Sequence, residues 1–512
     1  MQGDFDFIVV GAGTAGCVLA ARLAASGAHR VLLLEAGGED RSPWIRVPVG
    51  YAKLIGDPKY NWMYATAPEP SLGGRVIDQP AGRVIGGTGS LNGMLHVQGQ
   101  PQDYERWRAL GNAGWGWDDV RPWFAKVELP QSDPPQRHPL ADAFVDAAVQ
   151  AGQPRNDGFN GATQEGAGYF KLNTRNGARA SSASVYLKPL RGRGNLAVAT
   201  GALAKRILIE DGIAVGVEYR QGEALRQARA AREVIVAAGT FNSPKLLQIS
   251  GIGDGERLRA LGIAVACDLP QVGENLQNHY RAGIVARCTR AITDNDWSAS
   301  PWRRAAMALR YALRRDGPLA VGTYAGGFFR SGPEAATPDM QVVFWTYSVE
   351  RRDAGGVVLH KFPGFTSNAV LLRPQSRGWV RARSGEAGDA PEIRYNHLAE
   401  DYDRRTLVAA MRFVRRLHAQ PALKPMLDSE LFPGPRAESD EALLAYAKEK
   451  GGSVYHPVGT CAMGTVVDHE LCVRGVGRLR VADASVMPTV TSGNTNAPTL
   501  MIAERAAAWA LR

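Results

Sequence analysis

The stretch Phe7-Ile-Val-Val-Gly-Ala-Gly-Thr-Ala-Gly16 constrains this chain most. Its apolar run, Phe7 to Val10, predicts a strand buried on both faces, as in a parallel sheet. Gly11, Gly13 and Gly16 follow at Gly-x-Gly-x-x-Gly spacing, and Cys17 to Ala25 reads on as a helix of small residues. Gly11 permits the tight turn, Gly13 lets backbone approach a pyrophosphate, and Gly16 lets helix and strand close together. The helix start brings unpaired N–H groups and a positive dipole end to the same point. A second apolar strand, Arg30 to Glu35, ends in an acid about 20 residues past the loop, where a ribose hydroxyl needs an acceptor. The Glu35 carboxylate repels a 2′-phosphate, so the expectation is an adenine dinucleotide without one. Glycine turns alone are common; strand, turn, helix and terminal acid in sequence are strong evidence together.

At 512 residues the chain exceeds a single core and predicts two or more domains. The composition, 45% hydrophobic and 21% charged, is that of a soluble globular protein. No run approaches the roughly 20 apolar residues of a membrane span. The first strand begins within a few residues of Met1, which leaves no room for a signal peptide. Cys17, Cys267, Cys288, Cys461 and Cys472 are scattered and form no Cys-x-x-Cys pair. That pattern argues against a disulfide framework and a zinc site and predicts a reducing compartment, the cytoplasm by default. The formal charge of +10 is spread along the chain. Its densest patches, Trp302-Arg303-Arg304 and Arg412 to Arg416, read as solvated helix faces; nucleic acid is not expected, and only a weak membrane-surface attraction is.

Residues 36–80 are rich in Gly, Pro and aromatics and predict an ordered loop over a ligand. The Gly-rich stretch Ala81–Met94 is too patterned for a linker. A helix is expected over Asp103–Leu110, then alternating strands from Val198 to Tyr219 with a hairpin at Glu210-Asp-Gly212. Another buried strand, Val234–Ala238, leads to a helix ending at Ile249, with Pro244 in its first turn. Aromatic strands (Val342–Tyr347, Val357–Phe365, Ala369–Arg373) and helices at 302–314 and 401–418 mark a second domain. Gly- and Asn-rich turns at 451–497 precede a last helix from about Pro498 to Leu511.

Two stretches, Gly82–Asn92 and Gly239–Gly253, resemble the paired signatures of the glucose–methanol–choline (GMC) oxidoreductases. Val272–His279, Tyr455–Gly464, Val481–Pro488 and Asn494–Arg505 are similar to further blocks of that family, nearly end to end and weakest between about 288 and 365. Phe159–Gly168 and Arg373–Gly378 resemble its bacterial alcohol- and choline-dehydrogenase branch. The resemblance implies an α/β protein: an FAD-binding Rossmann-like domain of the GMC / p-hydroxybenzoate hydroxylase-like kind, and an α+β substrate domain on an antiparallel sheet. The expected division gives 1–155, 196–287 and 452–512 to the FAD-binding domain, and 156–195 and 288–451 to the substrate domain.

The implied activity is FAD-dependent oxidation of a primary alcohol to the aldehyde, with dioxygen or a quinone-type acceptor completing the cycle. Such a reaction needs a base for the hydroxyl proton, and histidine suits working pH. The family's catalytic histidine falls at His456, and its partner about forty residues on falls at Asn496, a position that also suits a helix cap. The helix there would stabilise negative charge on reduced flavin. The resemblance further implies that Gly11, Gly13, Thr14, Ala15, Gly16, Glu35, Ala36, Trp62, Arg83, Gly87, Asn92, Gly93, Met94, Leu203, Ala238, Asp483, Ala484, Asn494, Thr495 and Ala497 hold the cofactor. Asp483 has two readings of equal weight, a helix cap or a ribityl contact.

Two departures stand out. Some family members carry a histidine that bonds covalently to the flavin where this chain has Leu91, so FAD is expected to be non-covalent. Asn278 replaces the usual Asp beside His279. Tyr324, Phe328, Trp345, Tyr347, His360 and Phe365 are candidates for the substrate pocket, most of them expected in the core. A GMC-fold lyase or decarboxylase is the alternative from another reaction class, and a non-catalytic flavoprotein or NAD-binding protein is the third.

Overall fold

The computed structural model describes residues 4–353 and 356–512. Two seven-stranded sheets organise it. In the first, Phe5–Val10 lies between Val31–Glu35 and the second half of Ala224–Val236, all parallel. Leu196–Thr200 extends this arrangement beyond Val31–Glu35, and Leu479–Val481 lies beside Val234–Val236. Every residue of Val31–Glu35 is buried, as a parallel strand covered on both faces requires. The first half of Ala224–Val236 pairs instead with an antiparallel meander, Ala202–Glu210 and Ile213–Gln221. The hairpin falls at Asp211 and Gly212, both at positive φ (48° and 75°), the twist that two-residue hairpins favour.

The second sheet is antiparallel throughout, in the order Leu427–Phe432, Tyr280–Cys288, Gly364–Leu371, Met340–Trp345, Ala325–Phe329 and Gly166–Tyr169, with Gly452–Ser453 as a seventh strand also paired to Tyr280–Cys288. Side chains alternate along its strands. On Met340–Trp345, Val342 and Phe344 enter a core with Phe144, Leu407, Met411 and Phe413, while Gln341, Val343 and Trp345 line a cavity on the other face. The helices Pro139–Gln150 and Asp401–His418 cover the core side.

Several boundaries differ from expectation for identifiable reasons. Tyr280–Cys288 pairs wholly within the second sheet, so that ladder begins before the expected border at 287/288, and Pro139–Gln150 packs on the second core rather than the first. Gly364–Leu371 is one strand, not the ends of two, and Gly356–Leu359 pairs with Val349–Asp353 in a separate hairpin. The helix expected to carry Pro244 in its first turn starts at Gly239, which puts Pro244 inside it. Pro244 has no N–H for the Thr240 carbonyl one turn back, and Thr460 Oγ donates to that carbonyl instead, at 2.7 Å. A neighbouring hydroxyl thus lets the proline sit inside the helix.

Candidate active site

The Gly11–Gly16 turn closes in the way its spacing demands. Gly11 has φ +99°, and a Cβ there would lie 2.5 Å from the Ala237 carbonyl oxygen; one on Gly16 would lie 1.8 Å from that of Gly11. Gly13 is different. The nearest atom to its Cβ position is Gly87 Cα at 4.0 Å, and Gly13 opens on the cavity. The helix Thr14–Ala24 starts with no side-chain cap, so its first N–H groups remain for a ligand where Thr14 and Ala15 line that cavity.

Glu35 is buried at the end of its strand. Its two carboxylate oxygens accept from the Ala12 N–H at 2.9 Å and the Gly37 N–H at 2.8 Å. Burial pushes its pKa up to about 7 despite those donors. Each oxygen keeps a second lone pair for a ligand hydroxyl.

The Gly82–Asn92 segment lies against this turn. A Cβ on Gly87, at φ +53°, would come within 2.7 Å of Gly13 Cα. Beneath the segment, buried Arg179 donates to Asn92 Oδ1 at 2.7 Å and to the Ile45 carbonyl at 2.9 Å. Burial lowers its pKa to about 10, which leaves it charged at neutral pH. Sequence reasoning assigned Arg179 nothing, because no local pattern marks a cation that serves a loop 87 residues away.

Two helix starts meet at the next point. Thr14 Oγ donates to Asn496 Oδ1 at 2.9 Å, and a Cβ on Gly89 would come within 2.8 Å of that hydroxyl. Asn496 is the first residue of the helix Asn496–Ala510, with Thr495 at the cap position, so its side chain makes this bridge rather than capping its own helix. Asp483 acts as a cap: it accepts from Ser485 N–H at 2.8 Å, Gly239 N–H at 2.8 Å and Ser243 Oγ at 2.6 Å. It ties the start of Gly239–Ile249 to the turn Ala484–Val486 while lining the cavity.

Of the expected residues, Gly11, Gly13, Thr14, Ala15, Glu35, Ala36, Trp62, Gly87, Asn92, Gly93, Met94, Leu203, Ala238, His456, Asp483, Ala484, Asn494, Thr495 and Asn496 line this one cavity. Gly16, Arg83 and Ala497 do not. Gly16 is spent on helix–strand closure, Arg83 lies over the Trp62 ring at 4.9 Å, and Ala497 is buried inside its helix.

His456 lines the same cavity from a turn after Tyr455, whose φ is +66°. Asn278 Oδ1 accepts the His456 N–H at 2.9 Å, and Asn278 Nδ2 donates to Ser453 Oγ at 2.6 Å. A carboxylate could only accept at the second contact, from the Ser453 hydroxyl, whereas the amide donates there and holds the turn without a buried charge.

The imidazole lies in a relay. His279 Nε2 is 3.0 Å from the Leu372 carbonyl oxygen, which only accepts, so the His279 proton is on Nε2. His279 Nδ1 therefore accepts from His456 Nδ1, 3.0 Å away. The His456 proton is thus on Nδ1, and its Nε2 lone pair accepts from Asn494 Nδ2 at 3.0 Å. Burial lowers His279 to about 4; removal from water and then the neighbouring His279 hold His456 well below the usual histidine range. Both rings are neutral at physiological pH. The sequence reading gave His279 no role, and Asn494 stands in direct contact with His456 where Asn496 was expected.

The second sheet supplies the wall beyond His456. Tyr324, Phe328 and Phe365 are core. Trp345 lines the cavity with Tyr347 stacked on it at 5.2 Å, and His360 bonds Ser348 Oγ at 3.0 Å outside it. Arg281, Gln341 and Asn368, which sequence reasoning passed over, also line it. Arg281 donates to Asn368 Oδ1 at 2.7 Å and lies 5.0 Å from the Trp345 ring.

This geometry suits a dinucleotide flavin. A glycine cradle and a bare helix start face its diphosphate position, and the buried Asn494 Oδ1 makes no hydrogen bond within the protein. Residues 5–281 and 374–503 match the models of the N- and C-terminal parts of the GMC oxidoreductases. The chain belongs to the GMC oxidoreductase family.

It is 41% identical to human mitochondrial choline dehydrogenase, over 99% of this chain and 89% of that one. It is 38% identical to the alcohol dehydrogenase [acceptor] of Pseudomonas putida, over 98% and 95%. Pyridoxine 4-oxidase from Mesorbium loti superposes with a TM-score of 0.89 at 30% identity, covering 98% of each chain. As a GMC oxidoreductase, the chain is an FAD-binding enzyme of the alcohol-oxidising kind; these matches do not favour the lyase or decarboxylase alternative. No helix among the described residues is long and apolar enough to cross a membrane, and none of their His, Cys, Asp and Glu side chains cluster as a metal site.

Proposed function

We propose that this GMC oxidoreductase oxidises a primary alcohol to its aldehyde, with His456 Nε2 as the base for the hydroxyl proton. FAD, when bound, supplies the acceptor for the hydride that leaves the carbinol carbon. The relay from Leu372 through His279 is the observation that supports this role for His456: it places the proton on Nδ1 and leaves the Nε2 lone pair at the cavity, where an incoming hydroxyl would take the place of the Asn494 amide. Asn494 would orient the alcohol oxygen beside that lone pair, and Asn496, whose Oδ1 is taken by Thr14, would add its amide nitrogen. The 17 expected cofactor residues that line the cavity would hold FAD without a covalent bond, since the side chain before Asn92 is the apolar Leu91.

The second sheet would supply the substrate wall through Gln341, Val343, Trp345 and Asn368. Dioxygen or a quinone would complete the cycle, and the unpaired cysteines support a cytoplasmic location.

Anaerobic mixing of the FAD-loaded protein with primary alcohols, choline among them, tests this reading. Flavin bleaching by a primary alcohol, with recovery on adding air or a quinone, is the expected result. A flavin left oxidised by every alcohol would refute it.

A further inference from the structure

The helix Pro301–Arg314 presents its apolar side to solvent. Its one buried residue is Tyr311, whose hydroxyl donates to the Gly177 carbonyl at 3.0 Å. At about 100° per residue, Leu313, Ala306 and Leu309 fall within about 40° of Trp302, and Tyr311 falls on the opposite side. The stripe therefore points directly away from the protein. Trp302 is 84% exposed, Leu313 75% and Leu309 61%, the three highest values among the large apolar residues described. An ordinary surface helix turns such a stripe inward.

The charges agree. Arg303, Arg310 and Arg314 flank the stripe on one side, Arg304 and Arg315 follow around the helix, and no acidic residue lies between Pro301 and Arg315. Arg310 is tied to Asp316 at 2.6 Å and to Gln136 at 2.8 Å, while Arg303 reaches the Asp296 carbonyl at 3.2 Å. An exposed Trp and two Leu with flanking arginines make a helix that lies in a membrane interface, its apolar face among acyl chains and its arginines at anionic headgroups.

We propose that Pro301–Arg314 seats this enzyme on anionic lipid surfaces. A second copy of the chain is the weaker occupant. The helix is about 21 Å long and about 10 Å across, so the stripe offers roughly 200 Å² against the roughly 800 Å² each partner gives a stable dimer. The inference rests on this helix and not on the alcohol chemistry.

Sedimentation of the FAD-loaded enzyme with unilamellar vesicles tests it, using phosphatidylcholine alone or mixed with phosphatidylglycerol. The wild type is expected to bind the mixed vesicles, to ignore pure phosphatidylcholine, and to be released by salt. The triple variant Trp302→Ser, Leu309→Ser, Leu313→Ser should lose about tenfold in partitioning per residue. A second variant, Arg303→Gln, Arg304→Gln, Arg314→Gln, should lose about a hundredfold. Both should retain FAD and wild-type rates with soluble alcohol. Absence of vesicle binding, equal binding to both compositions, or binding that survives in both variants overturns the proposal. So does a wild-type dimer in sedimentation velocity that the leucine variant dissociates while neither protein binds vesicles.

Discussion

The substitution His279→Leu separates positioning of the base from binding. His279 does not line the cavity, and its Nδ1 is the acceptor that fixes the His456 proton on Nδ1. Leucine removes that acceptor. His456 then either buries an unpaired N–H or moves the proton to Nε2, which ends its capacity as a base. The cost of the orphaned donor is about 1–3 kcal/mol, so the reactive tautomer falls about 5- to 140-fold in population. Anaerobic stopped-flow reduction of bound FAD by a saturating alcohol should slow by that factor, with the FAD content and the alcohol concentration for half-maximal rate little changed. His279→Asn, which keeps an oxygen acceptor near the Nδ1 position, should recover part of the rate. A His279→Leu enzyme that loads FAD and reduces it at the wild-type rate would refute the relay. Equal losses in both variants would refute the tautomer argument.

Three further outcomes follow from the site. Because burial and His279 hold His456 well below the usual histidine range, the base stays deprotonated as pH falls; the reduction rate should be level through the ordinary histidine inflection near 6.5, and a decline there contradicts the account. Gly13→Ala places a methyl group on the cavity but against nothing nearer than 4.0 Å, so it should lower FAD affinity while leaving the apoprotein's thermal stability intact. Gly16→Ala forces a Cβ to 1.8 Å from a carbonyl oxygen and should destabilise the fold by about 3 kcal/mol in denaturant titration.

The first strand, glycine turn and Glu35 were legible because strand, turn, helix and acid follow one another in sequence and Glu35 reaches back to the Ala12 N–H, although Gly11 closes against the distant Ala237. The period-two alternation of Met340–Trp345 was equally readable, but not which face met the cavity, which depends on the distant helices Pro139–Gln150 and Asp401–His418. His456 stood out only through the family resemblance, since a histidine in a Gly/Pro-flanked turn is otherwise unremarkable. Its partner His279 lies 177 residues away, and no spacing rule joins them. Pro244 misled for a similar reason: the rule that places proline in a first turn fails when Thr460, 220 residues from Thr240, satisfies the freed carbonyl. The Trp302-Arg303-Arg304 patch read as a solvated face until the helix's orientation showed that the side turned outward is the apolar one.

The central claim is that His456 Nε2 takes the alcohol proton, and one comparison tests it most directly. FAD-loaded wild type and His456→Ala are mixed anaerobically with a substrate alcohol, and loss of oxidised-flavin absorbance is timed. The account predicts a reduction rate at least about 100-fold lower in the variant, the ordinary contribution of a positioned general base. Equal rates in the two proteins, with FAD bound to both, would contradict it.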